Sequence, residues 1–370
     1  MPMKKFFTPT LIALLAVMPA LAQTLVTTAI QPRNAVLEEF TGINCVNCPD
    51  GHLRANQLYN AFPGRVVLIN IHSGSFANPS SGQPDFRTPW GNPIDAFAGV
   101  AAYPSGTMNR VVWAGAYNAP PYFPQNPPNN LAIRRPGWWD TAYPNQGTGA
   151  YIILNGGNSP VNIGAATTWN ATTRELSVTV ELYYTASETQ DNKLNVAFTE
   201  SGVIGYQSGG SANYTHNHIL RNLLTGQWGE TITTVSQGTL VTRTYSYIVP
   251  VNFNIDNCDI NVFVTQSDNK NTHTGISIPA KNGTTVGISD AYAAGRLSVY
   301  PNPASDDLYI SGIPANASEV KVVNVIGKTV LEFDNYENQI KADISKLPAG
   351  VYFVNVTTGS KNMVKKFIKD

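Results

Sequence analysis

A chain of 370 residues with 42% hydrophobic content carries enough apolar side chain for two or three separately cored domains, and disorder is not its default. Only 13% of residues are charged, with 24 Lys and Arg against 24 Asp and Glu. That balance offers no electrostatic route to nucleic acid or to an anionic membrane surface.

The N-terminus reads as a secretory signal peptide over residues 1–22. Lys4 and Lys5 form a basic region, Phe6 to Leu21 is an apolar stretch broken by Pro9 and Pro19, and Ala20-Leu21-Ala22 gives a small-x-small cleavage site. The apolar stretch is shorter than a membrane span, and no later segment is long, uncharged and apolar. No Cys stands at the cleavage site, so no lipid anchor is expected there. The mature chain is expected to be soluble and exported, with no transmembrane span, in a compartment where disulfides persist.

Residues 34–150 alternate strand and helix. Ala35 to Thr41 is a strand candidate that runs into Cys45-Val46-Asn47-Cys48. A helix is expected from Cys45 to Ala61, with Leu53, Asn56, Gln57 and Asn60 at helical spacing, ended by Pro63-Gly64. Arg65 to His72 is a continuous apolar strand, as in sheets covered on both faces. Strand, helix and strand imply a right-handed parallel βαβ unit. A short helix is expected from Ile94 to Ala102, then an x-Pro turn at Tyr103-Pro104, then a strand from Thr107 to Trp113. A Cys-x-x-Cys at a helix N-terminus is chemically pointed. Free N–H groups and the helix dipole stabilise a thiolate there, so Cys45 can attack a disulfide and Cys48 can resolve the product. Zinc ligands and plain structural bridges share the spacing. Zinc would need Cys45, Cys48 and His52 plus a fourth ligand that the sequence does not offer, so no metal or other cofactor is expected.

This order of elements resembles the thioredoxin-like superfamily. The resemblance implies a cis peptide at Pro104 beside the dithiol and a buried acid at Glu39, six residues before Cys45, relaying a proton. Thioredoxins carry Asp there and Trp-Cys-Gly-Pro-Cys at the dithiol. Here Asn44 precedes Cys45 and Val46-Asn47 fill the gap, so their redox potential does not carry over. The longer string of Glu38-Glu39-Phe40-Thr41-Gly42, Asn44-Cys45, Asn47-Cys48-Pro49 and Gly51-His52, with Tyr103-Pro104-Ser105-Gly106 and Asn109-Arg110 downstream, is similar to the 28-kDa outer-membrane-protein family of Bacteroidota over residues 34–280. That resemblance implies a surface or outer-membrane location and leaves the activity open.

Residues 116–150 are rich in Pro and Asn, with Tyr122, Phe123, Trp138 and Trp139 read as cover for a domain junction rather than a glycan platform. Residues 151–285 are expected to form an antiparallel β-sandwich. Leu176 to Tyr184 alternates cleanly, and Asn195 to Thr199, Val241 to Val249 and Ile260 to Thr265 are further strands. Within it, His216-Asn217-His218 could place two imidazoles on one strand face as a metal half-site, but with no third ligand they read as solvent-facing or hydrogen-bonded histidines, and Cys258 reads as a buried, inert thiol. His52 is placed to lower a thiol pKa or to face solvent.

After a linker at 286–295, residues 296–370 read as a small Ig-like β-sandwich of alternating strands and Gly, Pro and Asn turns. Tyr300-Pro301-Asn302-Pro303, Leu308-Tyr309-Ile310, Val320 to Lys328, Leu347-Pro348-Ala349-Gly350 and Val364 to Lys369 follow in an order that resembles the type A C-terminal sorting domain of the type IX secretion system of Bacteroidota. The resemblance implies engagement of that machinery and export across the outer membrane, with removal of the domain and anchoring to surface lipopolysaccharide as open options. The expected fold class is therefore α/β plus all-β. Two functions stand open: a secreted thiol-disulfide oxidoreductase acting on protein thiols through Cys45, Cys48, Pro104 and Glu39, or a non-enzymatic surface binding or adhesion protein in which Cys45–Cys48 is structural.

Overall fold

The computed structural model describes residues 24–113, 130–139, 148–285, 297–300, 303–311, 313, 317–334, 339–358 and 361–370. The expected signal peptide, the linker, Tyr122 and Phe123 lie outside the described residues.

The chain is mostly β with several sheets. Strand β1 (Ala35–Thr41) is buried along its whole length and pairs in parallel with β2 (Val66–His72) across helix α1 (Cys48–Ala61). The helix starts three residues later than expected. Cys45 to Asn47 form a turn, closed by Cys48 N–H donating to the Cys45 carbonyl at 3.2 Å, and Pro49 sits in the first helical turn, where its missing N–H is no loss. The buried face is also different: Gly51, His52, Ala55 and Leu58 face the sheet, while Leu53 is 56% exposed. A helix this polar gives little periodicity to read, and packing on the sheet decides the face.

Helix α2 (Gly91–Ala98) ends earlier than expected because Gly99 turns left-handed, φ 67°. The Tyr103–Pro104 peptide is cis and leads into β3 (Ser105–Met108), antiparallel to β1. This strand stops at Met108 because Asn109 and Arg110 both adopt φ near +50°. Strand β4 (Ile133–Arg134) pairs with β3, and α3 (Gly149–Asn155) follows. Helices α1 and α3 cover one face of the sheet with Leu37, Leu68, Trp138 and Ile153. Both tryptophans, Trp138 and Trp139, are buried there. Helix α2 covers the other face with Val36, Phe40, Ile69 and Ile94.

The C-terminal half adds β5 (Val161–Asn170), β6 (Glu175–Tyr184), β7 (Asn192–Glu200), β8 (Val203–Gly205), β9 (Tyr214–His216), β10 (Ile219–Leu223), β11 (Glu230–Ile232), β12 (Leu240–Ile248), β13 (Cys258–Gln266) and β14 (Thr272–Pro279). Strands β12, β6 and β5 form one antiparallel layer. Its inner residues Leu176, Val178, Val180 and Leu182 pack on Leu194, Phe198, Ile260 and Val262. The opposing layer is not a separate sheet. Strands β14, β13, β7 and β10 continue into β2, β1, β3 and β4 in one mixed sheet, with β11 on β7. The join runs through β10, parallel to β2 at Ile219 and Asn70. A division near residue 150 therefore separates elements but not sheets. Hairpin β8–β9 pairs only with itself.

Beyond the linker, β15 (Ser298–Tyr300), β16 (Asp307–Ser311) and β19 (Gln339–Asp343) make one antiparallel sheet, and β17 (Glu319–Asn324), β18 (Thr329–Phe333), β20 (Gly350–Thr358) and β21 (Lys361–Lys369) make another. They enclose a core of their own that includes Leu308, Ile310, Val322, Val354 and Phe367.

Candidate functional site

The site forms where β1 ends, α1 begins and the Pro104 turn arrives. Cys45 and Cys48 are joined as a disulfide with Cα atoms 5.4 Å apart. Cys48 is the first residue of α1, so it, rather than Cys45, is the thiol placed at the helix N-terminus. Cys45 is 3% exposed and Cys48 is fully buried. Glu39 lies in the middle of β1, opposite Asn70 on β2 and Gly106 on β3. Gly51 is the meeting point. A Cβ there would stand 2.6 Å from Glu39 Oε1 and 2.7 Å from Pro104 Cγ, so only glycine lets α1 close on both. A glycine inside a helix costs about 1 kcal/mol against alanine; here close packing accounts for it.

Burial pushes the Glu39 carboxyl well above the ordinary carboxylate range, and neither of its oxygens meets a hydrogen-bond donor. Burial favours the neutral form of such an acid and makes its carboxylate a stronger base once ionised. Burial first, and then the Glu39 carboxyl, push the Tyr214 phenol up to about 12.

The adjacent Glu38 points to the opposite face. Its carboxylate accepts from Arg110 Nε at 2.7 Å, Arg110 Nη2 at 2.6 Å and Thr107 Oγ1 at 2.9 Å, all buried. Asn109 locks the same corner: its Oδ1 accepts from Val36 N–H at 2.8 Å, and its Nδ2 donates to the Asn34 and Thr272 carbonyls. The Glu38 and Asn109-Arg110 motif residues thus serve the scaffold, while Glu39 faces Gly51 on α1.

His52 does not bring positive charge to the thiols. It is buried on α1, its Nε2 2.8 Å from Thr41 Oγ1 and its Nδ1 3.0 Å from the Tyr214 hydroxyl. Burial, aided by nearby His216, lowers its pKa to about 3, so it is neutral. His216 and His218 do not share a face toward one metal. The His216 ring lies 5.8 Å from that of His72 and 4.7 Å from that of Phe86, while His218 packs 5.0 Å from Tyr59. Among the described residues no group of His, Cys, Asp and Glu is arranged to hold a metal ion. Cys258 is buried, its thiol donating to the Asn254 carbonyl at 3.1 Å, and burial pushes it up to about 12.

The chain-distant residues at the site were not read from the sequence. They are Gln207, Ser208 and Tyr214, from the β8–β9 hairpin, and His72 and His216, which complete a group with His52. Of these only His216 carries a sequence signal, as part of a His-x-His pair.

That group makes the fold acid-sensitive. Burial lowers His216 to about 4 and His52 to about 3, and it lowers His72 as well. A histidine depressed in the folded state adds stability in full above its unfolded pKa of about 6.5, and loses it as pH falls toward the folded value. Glu39, raised by burial, works in the opposite direction. Replacing His216→Gln should reduce the dependence of unfolding free energy on pH between 6 and 5 by about one proton, ~1.4 kcal/mol per pH unit. Urea titrations at the two pH values measure it; an unchanged slope means His216 titrates normally in the fold.

Comparison with known proteins adds the family. A family model described as outer membrane protein Omp28 matches residues 93–276. Over those residues the chain is similar to the Omp28 family. A second model, a secretion system C-terminal sorting domain, matches residues 298–370. The Omp28 match is narrower than the expected 34–280: it opens within α2 and includes Pro104 but not the dithiol. Among solved structures, HBP35 of Porphyromonas gingivalis aligns at a TM-score of 0.50 with 18% identity, covering 91% of this chain and 98% of that one, a likeness of fold. A domain of the outer membrane lipoprotein Omp28 from Porphyromonas gingivalis aligns at 0.25 with 21% identity, covering 33% and 89%. PorZ, a surface component of the type IX secretion system of the same organism, aligns at 0.21 with 11% identity, covering 72% and 43%. No curated protein matches the sequence. The Omp28 region joined to a type IX sorting domain makes this a chain exported to the cell surface or outer membrane. No helix among its described residues is long and apolar enough to cross a membrane.

Proposed function

We propose that residues 34–150 form a thioredoxin-like module and that this surface protein exchanges disulfides with protein thiols through Cys45 and Cys48. The observation that carries the reading is the convergence of the Cys45–Cys48 disulfide, cis Pro104 and buried Glu39 around Gly51. A bridge that only staples a loop has no need of an unpartnered buried acid, because such a group is costly to keep.

In the reduced protein, the Cys45 thiolate attacks one sulfur of a substrate disulfide. A Cys45–substrate disulfide forms, the substrate S–S bond breaks, and the departing thiolate takes the proton of the Glu39 carboxyl, which is left ionised. Cys48 then gives its proton to ionised Glu39 and attacks the Cys45 sulfur. The Cys45–Cys48 bond closes, and the second substrate thiolate leaves. The substrate is reduced and the dithiol oxidised, with two electrons transferred. The Cys48 thiolate, at the start of α1, is stabilised by the helix dipole during resolution.

Cys48→Ser should accumulate mixed disulfides with protein substrates through Cys45, and Cys45→Ser few, since Cys48 is the more enclosed sulfur. Alkylation rate against pH on the reduced protein should show a thiol titrating below the free value of about 8.5. A reduction potential below roughly −300 mV, with an unshifted thiol and no trapped species, is the outcome of a structural bridge. That outcome would establish the second reading, a binding or adhesion protein, which the near-complete burial of Cys45 favours.

A further inference from the structure

A part of the chain far away in sequence packs against the turn that carries the dithiol. The loop 206–213 of the β8–β9 hairpin lies directly on the Cys-x-x-Cys turn. Ser208 N–H donates to the Ile43 carbonyl at 2.7 Å. The Gln207 amide, itself buried, donates to the carbonyls of Gly42 at 3.1 Å and Cys45 at 3.0 Å. Gly209, at φ +75°, rests against the Val46 carbonyl with no room for a Cβ. At the foot of the loop, Tyr214 bonds His52 on α1. Together these contacts leave Cys45 almost without solvent, so a thiolate in solution has no path to its sulfur while the hairpin is seated.

Among the described residues the two hairpin strands bond to no other strand, and left-handed residues stand just outside them at both ends, Gly202 at φ 72° and His218 at φ 55°. His216 on β9, buried against His72 and Phe86, anchors the base, so the part placed to lift is the loop 206–213. It donates to three backbone carbonyls, those of Gly42, Ile43 and Cys45, of which Gly42 and Cys45 also accept within the turn from Cys45 N–H and Cys48 N–H. Backbone N–H donors of an extended polypeptide can take the hairpin's place at such acceptors, and a small thiol cannot.

We propose that the β8–β9 hairpin is a built-in competitor at the Cys45–Cys48 site, seated where an extended, cysteine-bearing peptide segment must lie, and that it selects such segments over folded protein surfaces. The proposal rests on the redox reading of the dithiol. Only the fraction of molecules with the hairpin displaced is competent, so the apparent affinity for a peptide is reduced by that fraction.

The test uses the full mature chain and two variants. Gln207→Ala removes two of the donors, and Gly209→Val forces the loop off the Val46 carbonyl. Three quantities are followed: the rate of Cys45–Cys48 reduction by a water-soluble phosphine, the rate of exchange with an unstructured single-cysteine peptide, and hydrogen exchange at the Ser208 amide. Both variants should lose Ser208 protection and react at least tenfold faster with phosphine and peptide, with far-UV circular dichroism unchanged. If Ser208 is deprotected and either rate stays at the wild-type value, the hairpin is no competitor and the proposal falls. Should Gly209→Val fail to fold, Gln207→Ala alone decides. The equilibrium reduction potential, measured on the same samples, judges the redox reading separately: a structural-bridge potential overturns that reading even where the phosphine rate has risen.

Discussion

Deletion of residues 296–370 should abolish surface display and leave the remainder of the protein in the periplasm. Two facts make this a test of address rather than of folding. The sorting domain has its own core, from Leu297 to Phe367. Among the described residues, the cores around the dithiol and within the sandwich draw none from beyond Ala280. Truncation therefore removes no buried side chain from the rest of the molecule, and the cost of opening a core does not arise. Protease accessibility on intact cells, set beside immunoblots of periplasmic and outer-membrane fractions, reads the result. Wild-type display of the truncated chain sinks the assignment of the address to this domain.

Arg110→Met should destabilise the fold by about 3–5 kcal/mol, the largest single-residue effect expected outside the hydrophobic core. Removing the guanidinium takes away two of the three donors of Glu38 and leaves a buried carboxylate with Thr107 alone. It also removes a cation that stands 5.3 Å from the Phe263 ring centroid. Arg110→Lys should recover only part of the loss, since an ammonium cannot match the two-pronged contact. The double variant Glu38→Leu, Arg110→Met should be more stable than Arg110→Met alone, because no unpaired charge is left behind. Urea midpoints for the four proteins decide it. A loss below about 1 kcal/mol for Arg110→Met would show that the pair is hydrated rather than buried.

The contrast between Glu38 and Glu39 shows what a sequence discloses. Alternation along a strand says that neighbours face opposite ways, and the Cys-x-x-Cys with its x-Pro turn selected Glu39 as the acid facing α1. The partners of Glu38 were not legible, because Arg110 reaches it only through two left-handed residues that ended β3 early. Helix α1 illustrates another limit. Its length followed from Pro63-Gly64, yet its buried face did not, since only Ala55 and Leu58 are apolar on the side that meets the sheet. The hairpin over Cys45 is a third case. Gln207 lies 162 residues from the carbonyl it binds, and nothing local to either segment announces the contact. The sandwich strands, by contrast, were plain: β6 alternates buried and partly exposed residues along nearly its full length, because one face meets a core and the other does not.

The shared sheet has a practical meaning for anyone cutting the gene. Asn70 on β2 donates its backbone N–H to the His218 carbonyl, and its side chain donates to the Asn217 carbonyl. The α2 face of β1 and β2 packs on Ala197, Leu220 and Phe263. A fragment ending near residue 150 would carry β2 as a raw edge, beside a patch of Val36, Phe40 and Ile69 that α2 alone covers only in part. An unpaired apolar strand of that kind recruits other chains. Such a fragment should come out of the cell as aggregate, and its silence in a thiol assay would say nothing about Cys45.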